Sequence, residues 1–263
     1  MNQAGSGRPS EPPLHELDPT GRFSDRAAEY VRYRPGYPTA ALDALLDGLA
    51  PPTMLTAADV GAGTGISARA LADRGVSVYA IEPNRAMREA AAPHARVSWQ
   101  EGTAEATQLP DNAVDLVLAA QAFHWFQVSE ALAEFHRVLR PGARLALMWN
   151  SRDRSDPVTR GYVEAIHEVN GEHPAERRPF DPAWLTEAGR FSQPSKLEFR
   201  HSQELDRDGL IGRATSASYV PREGRAYAAL TKLLAKLFER HRDDRGLVTL
   251  RYVTEIHLAT RRP

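Results

Sequence analysis

The chain of 263 residues contains no cysteine, and that absence removes several chemistries at once. Disulfide bridges, zinc–thiolate centres and cysteine nucleophiles are excluded. Long apolar runs are missing as well: no stretch approaches the ~20 residues that a membrane-spanning helix needs. The amino terminus has no charged start followed by an apolar segment, so no secretory signal is expected. An excess of one charge sign is also lacking. The 33 Lys and Arg residues face 34 Asp and Glu residues, a formal net charge of -1, and the two signs are interspersed. A nearly neutral chain gives no electrostatic ground for nucleic acid as a partner. The expectation is a soluble cytoplasmic protein, monomer or homodimer, with neither nucleic acid nor membrane among its partners.

Composition changes along the chain. Residues 1–20 are rich in Pro, Gly and Ser and poor in large apolar groups, which predicts a flexible tail. Residues 21–52 read as an N-terminal helical lid. Phe23, Ala27, Tyr30, Val31 and Arg34 recur at helical spacing until Pro35 and Pro38 stop the helix. A second helix carries Leu42, Leu45, Leu46 and Leu49 on one face and ends before Pro51-Pro52. From Leu55 to Asn150 short apolar strands alternate with helices. Strands are expected at Thr56–Val60, Val76–Ile81, Val97–Gln100, Val114–Ala119 and Leu145–Trp149. Helices are expected at Ile66–Arg74, after Pro83, and at Val128–Leu139, the last stopped by Arg140-Pro141-Gly142. Such alternation predicts an α/β, doubly wound, Rossmann-like fold on a mostly parallel sheet. Beyond Asn150 the pattern lapses. Strands expected at Lys196–Leu205 and Leu247–Ala259 complete the sheet, and helical cap insertions are expected over about 151–190 and 207–241, so that 53–263 forms one domain.

The chemistry concentrates after the first strand of this alternation, in Asp59-Val60-Gly61-Ala62-Gly63-Thr64-Gly65. Glycines between a strand and a helix permit positive φ and close approach of a ligand to the backbone. The helix start adds free N–H donors for an anionic group. Glu82 ends the next strand, where a carboxylate can accept both hydroxyls of a ribose. These parts describe an adenosine-containing cofactor. One register, starting at Gly63 and ending at Ala68, also fits a loose dinucleotide fingerprint. Asp59 argues against it, because an acid there repels a pyrophosphate and suits an ammonium, or else orients the loop.

Further segments make a resemblance specific. They are Glu101-Gly102-Thr103-Ala104-Glu105 with Leu109-Pro110-Asp111, then Val114-Asp115-Leu116-Val117, then Leu139-Arg140-Pro141-Gly142. With the glycine loop and Glu82 they resemble the class I S-adenosylmethionine-dependent methyltransferases of the small-molecule kind, the type 11 or trans-aconitate-methyltransferase-like subgroup. The match runs well from about Phe23 to Asn150 and loosely beyond, with Ala143 where a second glycine is usual. The resemblance implies S-adenosylmethionine as cofactor. It implies that Thr103, Ala104 and Glu105 meet the adenine, with Pro83 and Met87 also on the cofactor, and that Gln121 and Ala122 lie near the methionine end. It further implies that Tyr30-Val31-Arg32-Tyr33-Arg34-Pro35-Gly36-Tyr37 forms a cap over that end, where Arg34 or a tyrosine reaches the carboxylate.

Other candidates follow from placement at the carboxyl ends of strands, where ligands of such sheets sit. His124, Trp125 and Phe126 follow the fourth strand, and an aromatic lining suits a sulfonium cation. Trp149 and Asn150 end the fifth. Tyr30, Tyr37, Trp125, Trp149 and Tyr219 are candidates to line a substrate pocket, and Ser216 to help close it. His124, Tyr33 and Asn150 are the candidates for positioning roles in the chemistry. The Gln121-Ala122-Phe123-His124 sequence lacks the Asn/Asp-Pro-Pro-aromatic motif of base-modifying amino-methyltransferases. In-line methyl transfer needs alignment above all. A carboxylate acceptor needs no base, whereas a hydroxyl or amine would call on His124 or a tyrosine. No metal is expected. The same cofactor admits a second reaction, intramolecular displacement releasing methylthioadenosine, as in the azetidine-2-carboxylate synthases. A third reading is an NAD-binding or non-catalytic binding module.

Overall fold

The computed structural model describes Leu14, residues 27–176 and residues 180–263. The tail expected over 1–20 lies outside these residues apart from Leu14, as do Phe23 and the beginning of the first expected helix. Two short helices come first, α1 (Ala27–Tyr33) and α2 (Thr39–Leu46). The alternating region then gives β1 (Thr56–Val60), α3 (Ile66–Ala72), β2 (Ser77–Ile81), α4 (Arg85–Glu89) and β3 (Val97–Gln100). It continues through β4 (Val114–Ala120), α5 (Val128–Val138) and β5 (Leu139–Arg152). The remainder forms α6 (Pro157–Asn170), α7 (Ala183–Thr186), β6 (Ser195–Leu205), α8 (Arg207–Thr215), α9 (Gly224–His241) and β7 (Val248–Thr260).

All seven strands join one sheet in the order β3-β2-β1-β4-β5-β7-β6. The first five pair in parallel; β7 runs antiparallel to both β5 and β6. The sheet is therefore the mostly parallel, doubly wound one that the alternation predicts. Its central strand β4 is buried on both faces, as its unbroken apolar run requires. One core packs Val60, Val117, Phe135 and Leu147 on one face; a second packs Leu45, Leu71, Leu116 and Met148 on the other. A third, of Tyr162, Ile166, Leu210, Leu234 and Phe238, joins α6, α8 and α9 to the end of β7. Side-chain caps fix the later helices: Asp156 accepts the Thr159 N–H at 2.8 Å, and Asp206 accepts the Gly209 N–H at 2.7 Å.

One expected strand is much longer than its apolar run. Hydropathy marks Leu145–Trp149, yet β5 runs from Leu139 to Arg152. At the carboxyl end the extension comes from backbone pairing with β7, whose register continues from Arg144↔Thr260 to Arg152↔Tyr252, and at the other end Leu139 pairs with Val114 of β4. Cross-strand hydrogen bonds hold polar residues in the strand that periodicity alone would leave outside it. The sheet order reverses between β1 and β4, which opens a crevice beyond their carboxyl ends.

Candidate active site

Gly61, Gly63 and Gly65 take φ values of 70°, 57° and 76°, a region open to glycine and costly for other residues. Space imposes the same choice. A Cβ on Gly61 would lie 2.6 Å from the Ala122 Cβ, and one on Gly65 would lie 2.8 Å from the Trp99 ring. The loop is tied to the second strand, since Gly61 and Ala62 both donate to the Ile81 carbonyl, at 2.9 and 3.1 Å. Glu82 completes this connection: Oε2 accepts the Gly63 N–H and Oε1 accepts the Asn84 N–H, each at 2.9 Å. Asn84 in turn caps α4 through the Met87 N–H at 3.1 Å. Burial pushes the Glu82 carboxyl above its ordinary range, against the two N–H bonds that favour its charge.

Asp59 is fully buried beneath the loop, and its Oδ2 accepts the Ser67 hydroxyl at 2.7 Å. It thus orients the start of α3. The Ser67 bond is a loop-orienting contact; the other oxygen, Oδ1, is buried without a hydrogen-bond partner, and Asp59 lines neither of the two cavities described next. Burial raises its pKa to about 7, with the Ser67 bond opposing and the Glu82 charge assisting.

A cavity of about 290 Å³ lies under the loop. Gly61, Gly63, Glu82, Pro83 and Met87 form one side; Thr103, Ala104 and Glu105 close an end; Gln121, Ala122, Trp125 and Tyr30 form the other side. Phe126 and Gln127 also line it. A tight turn holds the 103–106 segment, with Thr103 and Ala106 exchanging N–H···O bonds of 3.1 and 3.3 Å. Gln121 adopts φ 61°, unusual for a side-chain-bearing residue, and its N–H donates to the Met148 carbonyl at 2.8 Å. That turn swings the chain from β4 into the helical turn Phe123–Trp125 and directs Gln121 and Trp125 to the cavity.

A second cavity, of about 220 Å³, adjoins the first and shares Tyr30, Gln121 and Trp125 with it. His124, Arg34 and Tyr219 line it, together with Ser151, Arg152 and Glu176. A small space between them is bordered by Arg34, Tyr37, Ala62 and Asn150. Arg34 lies over the Tyr30 ring at 4.6 Å and donates to the Ser216 carbonyl at 3.2 Å, which ties α1 to the turn after α8. The Trp149 indole N–H donates to His124 Nδ1 at 3.3 Å. In the neutral imidazole the proton therefore resides on Nε2.

Asp59 and Gly65 support the loop without lining either cavity, Ala62 and Tyr37 border only the small space, and three further candidates are also placed otherwise than expected. Tyr33 lines neither cavity; its ring packs on Gly212 of α8, where a Cβ would stand 2.3 Å from the Tyr33 Cε2. Position in a short helix fixes which side a residue faces, and Tyr30 and Arg34 take the inward side. Trp149 is buried beneath the second cavity, edge-on to Phe123 and His257, and acts through His124. Asn150 is engaged in packing the cap on the sheet. Its Nδ2 donates to the Gly36 carbonyl at 3.0 Å, and its Oδ1 accepts from Thr254 Oγ1 at 2.6 Å and from His201 Nε2 at 3.2 Å. Sequence reasoning passed over Arg152, Ser151 and Glu176. The available signal was position: Ser151 and Arg152 extend β5 at its carboxyl end, the crevice side of the sheet.

Residues 58–147 match the methyltransferase domain family of type 11. Uncharacterized methyltransferases of Mycobacterium tuberculosis and Mycobacterium bovis are 37% identical over 204 residues, covering 75% of this chain and 76% of theirs. A Dictyostelium discoideum relative described as a methyltransferase is 31% identical over 219 residues, covering 80% of this chain and 79% of its own. Among solved structures, one from Anaeromyxobacter dehalogenans described as a type II methyltransferase superposes with a TM-score of 0.59 at 24% identity, covering 88% of this chain and 98% of that one. The [4+2]-cyclase SpnF superposes with a TM-score of 0.53 at 19% identity, over 96% and 97% of the two chains. The Haemonchus contortus phosphoethanolamine N-methyltransferase 2, solved with S-adenosylhomocysteine, gives 0.54 at 16% identity, over 97% of this chain and 62% of its own.

Proposed function

Because this chain belongs to the class I methyltransferases of the type 11 group, we propose that it binds S-adenosylmethionine under the glycine loop and methylates a small molecule in the adjoining cavity. The observation that carries this reading is the adjacency of the two cavities, which meet at Tyr30, Gln121 and Trp125. Ala104 and Gln121 would hold the adenine and methionine ends of the cofactor, and the second cavity, of about 220 Å³, gives an acceptor room beyond Gln121. Intramolecular displacement would need no such space.

The residues fit the cofactor. Each Glu82 oxygen holds one backbone N–H and keeps a lone pair for a ribose hydroxyl. Met87 and the 103–105 turn flank the place of the adenine. Gly63 lets the backbone approach the ligand, its missing Cβ being 3.4 Å from Met87 Cε. Arg34 supplies a guanidinium for an amino-acid carboxylate. When bound, S-adenosylmethionine supplies a methyl group on a cationic sulfur.

This chain's own residues then align and enclose. Tyr30 and Trp125 line the junction, and an aromatic ring attracts positive charge by ~0.5–2 kcal/mol. Correct alignment of acceptor and methyl accounts for ~7–11 kcal/mol of the barrier. With Nδ1 accepting from Trp149, a neutral His124 carries its proton on Nε2 and does not remove a proton through that nitrogen. The site therefore suits an acceptor that is nucleophilic unaided, such as a carboxylate or an unprotonated amine. The acceptor belongs to the small-molecule class.

Calorimetric titration with S-adenosylhomocysteine and with NAD tests the cofactor, and incubation with S-adenosylmethionine alone tests the reaction. The expected result is binding of the homocysteine analogue, none of NAD, and no methylthioadenosine. Binding of NAD without the analogue overturns the cofactor; methylthioadenosine formation overturns the methyl transfer in favour of cyclisation.

A further inference from the structure

The second cavity is lined by an arginine whose hydrogen-bond donors the protein leaves largely unsatisfied. The Arg152 side chain is only 12% exposed. It makes no hydrogen bond to the described residues, and its Nε is buried without a partner. The nearest carboxylate oxygen, Glu176 Oε2, stands at 3.9 Å, beyond hydrogen-bond reach, and is bonded to His167 Nε2 at 2.9 Å, while Glu176 Oε1 is buried without a partner of its own. The guanidinium lies over the Tyr162 ring at 5.2 Å, which favours its charge without satisfying its donors. Two more guanidiniums share the neighbourhood. Arg34 lines the same cavity with its own Nε buried and unpartnered. Arg213, 4% exposed, donates to Tyr252 Oη at 3.2 Å and to Ser216 Oγ at 3.5 Å. Arg34, Arg152 and Arg154 thus line one cavity with two carboxylates, Glu172 and Glu176, among the described residues, and Arg213 borders the small space beside it.

A buried guanidinium with five donors and no acceptor is a costly arrangement, and a planar oxyanion is the group its fork matches. We propose that this cavity contains a carboxylate subsite: the acceptor molecule carries a carboxylate that docks on Arg152, with Arg34 adding charge beside it. The inference rests on the methyltransferase reading for the word acceptor, while the subsite itself rests on Arg152. Glu176 favours a singly charged carboxylate over a dianionic phosphate, since its own charge lies close to the guanidinium. The docked carboxylate is the handle of the molecule and not the group that is methylated. Arg152 lines only the second cavity, whereas Tyr30, Gln121 and Trp125 mark the junction where the methyl arrives. A carboxylate bound by a guanidinium also has its lone pairs engaged. The methylated atom is therefore a second group of the same molecule, at the junction and near His124.

The test uses phenylacetate as probe, phenylacetamide as its uncharged counterpart, and inorganic phosphate, each titrated into the full chain with and without saturating S-adenosylhomocysteine. Phenylacetate is expected to bind at least tenfold more tightly than phenylacetamide. Arg152→Met is expected to lose that binding at least tenfold while keeping its affinity for S-adenosylhomocysteine within twofold. If Arg152→Met does not fold, Arg152→Lys decides, because a lysine keeps the charge and loses the fork. A threefold or greater loss in it supports the subsite, and unchanged binding overturns it. Equal binding of acid and amide, or no loss in Arg152→Met, also overturns it. Tighter binding of phosphate than of phenylacetate replaces the carboxylate by a phosphate ester. Formation of methyl phenylacetate with S-adenosylmethionine refutes the role as handle. Arg152-dependent binding of phenylacetate by a protein that ignores S-adenosylhomocysteine would leave the subsite standing and remove the cofactor.

Discussion

Replacing Glu82 by Gln keeps the side chain's shape and removes its charge and one of its two acceptor oxygens. In the protein one oxygen accepts the Gly63 N–H and the other the Asn84 N–H, both at 2.9 Å. An amide has one carbonyl, so its NH2 must face one of these donors, and the loop or the start of α4 loses its tie. A ribose hydroxyl that met a carboxylate then meets a neutral amide or a donor. A hydrogen bond to a charged group contributes ~1.5–3 kcal/mol, so cofactor affinity is expected to fall by roughly 10- to 150-fold. The assay is calorimetric titration with S-adenosylhomocysteine at pH 8. The acidity of Glu82 adds a second signature. Burial holds its pKa above the ordinary carboxylate value, and hydroxyl donors favour the ionised form, so wild-type affinity should rise as pH increases through the folded-state pKa. The Glu82→Gln titrations should show no such rise. A dissociation constant within threefold of the wild type at pH 8, with the same pH profile, would refute the ribose assignment.

Two further perturbations concern the supports of the site. Asp59 has a folded pKa of about 7, raised by burial, against ~3.9 when unfolded. The folded state thus holds its proton more tightly: the stabilisation is complete below the unfolded pKa and is lost as pH rises through about 7. Asp59→Asn should therefore gain on the wild type between pH 5 and 8, by at most ~3 kcal/mol; a difference in denaturant midpoints that is flat across this range would exclude the effect. Gly212→Ala should push the Tyr33 ring off α8, since the new Cβ would stand 2.3 Å from it. The expected cost is ~1–3 kcal/mol, seen as a lower Tm and faster proteolysis within α1, and Tyr33→Ala in the same chain should relieve the clash. An unchanged Tm in Gly212→Ala would show that the ring does not pack there.

Much of the sheet was legible because most of its parallel strands carry an apolar run that the core buries. β1 and β3 match their expected bounds, and β2 and β4 differ by one residue at one end, because these segments carry unbroken or alternating apolar residues with glycine, proline and charge at their ends. The glycine loop was legible for a related reason: three positive φ angles in seven residues and a ligand-approachable backbone leave no other residue type. Glu82 followed from its place one residue past β2. In all these cases the determining interactions lie within a strand, a turn or a single strand–helix unit, so local chemistry records them.

Contacts between distant segments decided the rest. β5 extends past its apolar run because β7, more than a hundred residues later, supplies the backbone partners. Tyr33 rests on Gly212 while Tyr30 and Arg34 line the cavities, a choice made by the docking of α1 on α8 and invisible in the Tyr-rich sequence. Asn150 binds the Gly36 carbonyl, 114 positions away. Arg152 reads as one more surface cation until α6 and the 172–176 segment fold over it and remove its solvent. The sequence by itself determined a Rossmann-like sheet with an adenosine-shaped loop at its switch point. Only the tertiary structure decided what stands opposite that loop, because the identity of a pocket's far wall is set by which remote segments pack there, and a charge becomes informative only once burial makes its lack of a partner costly.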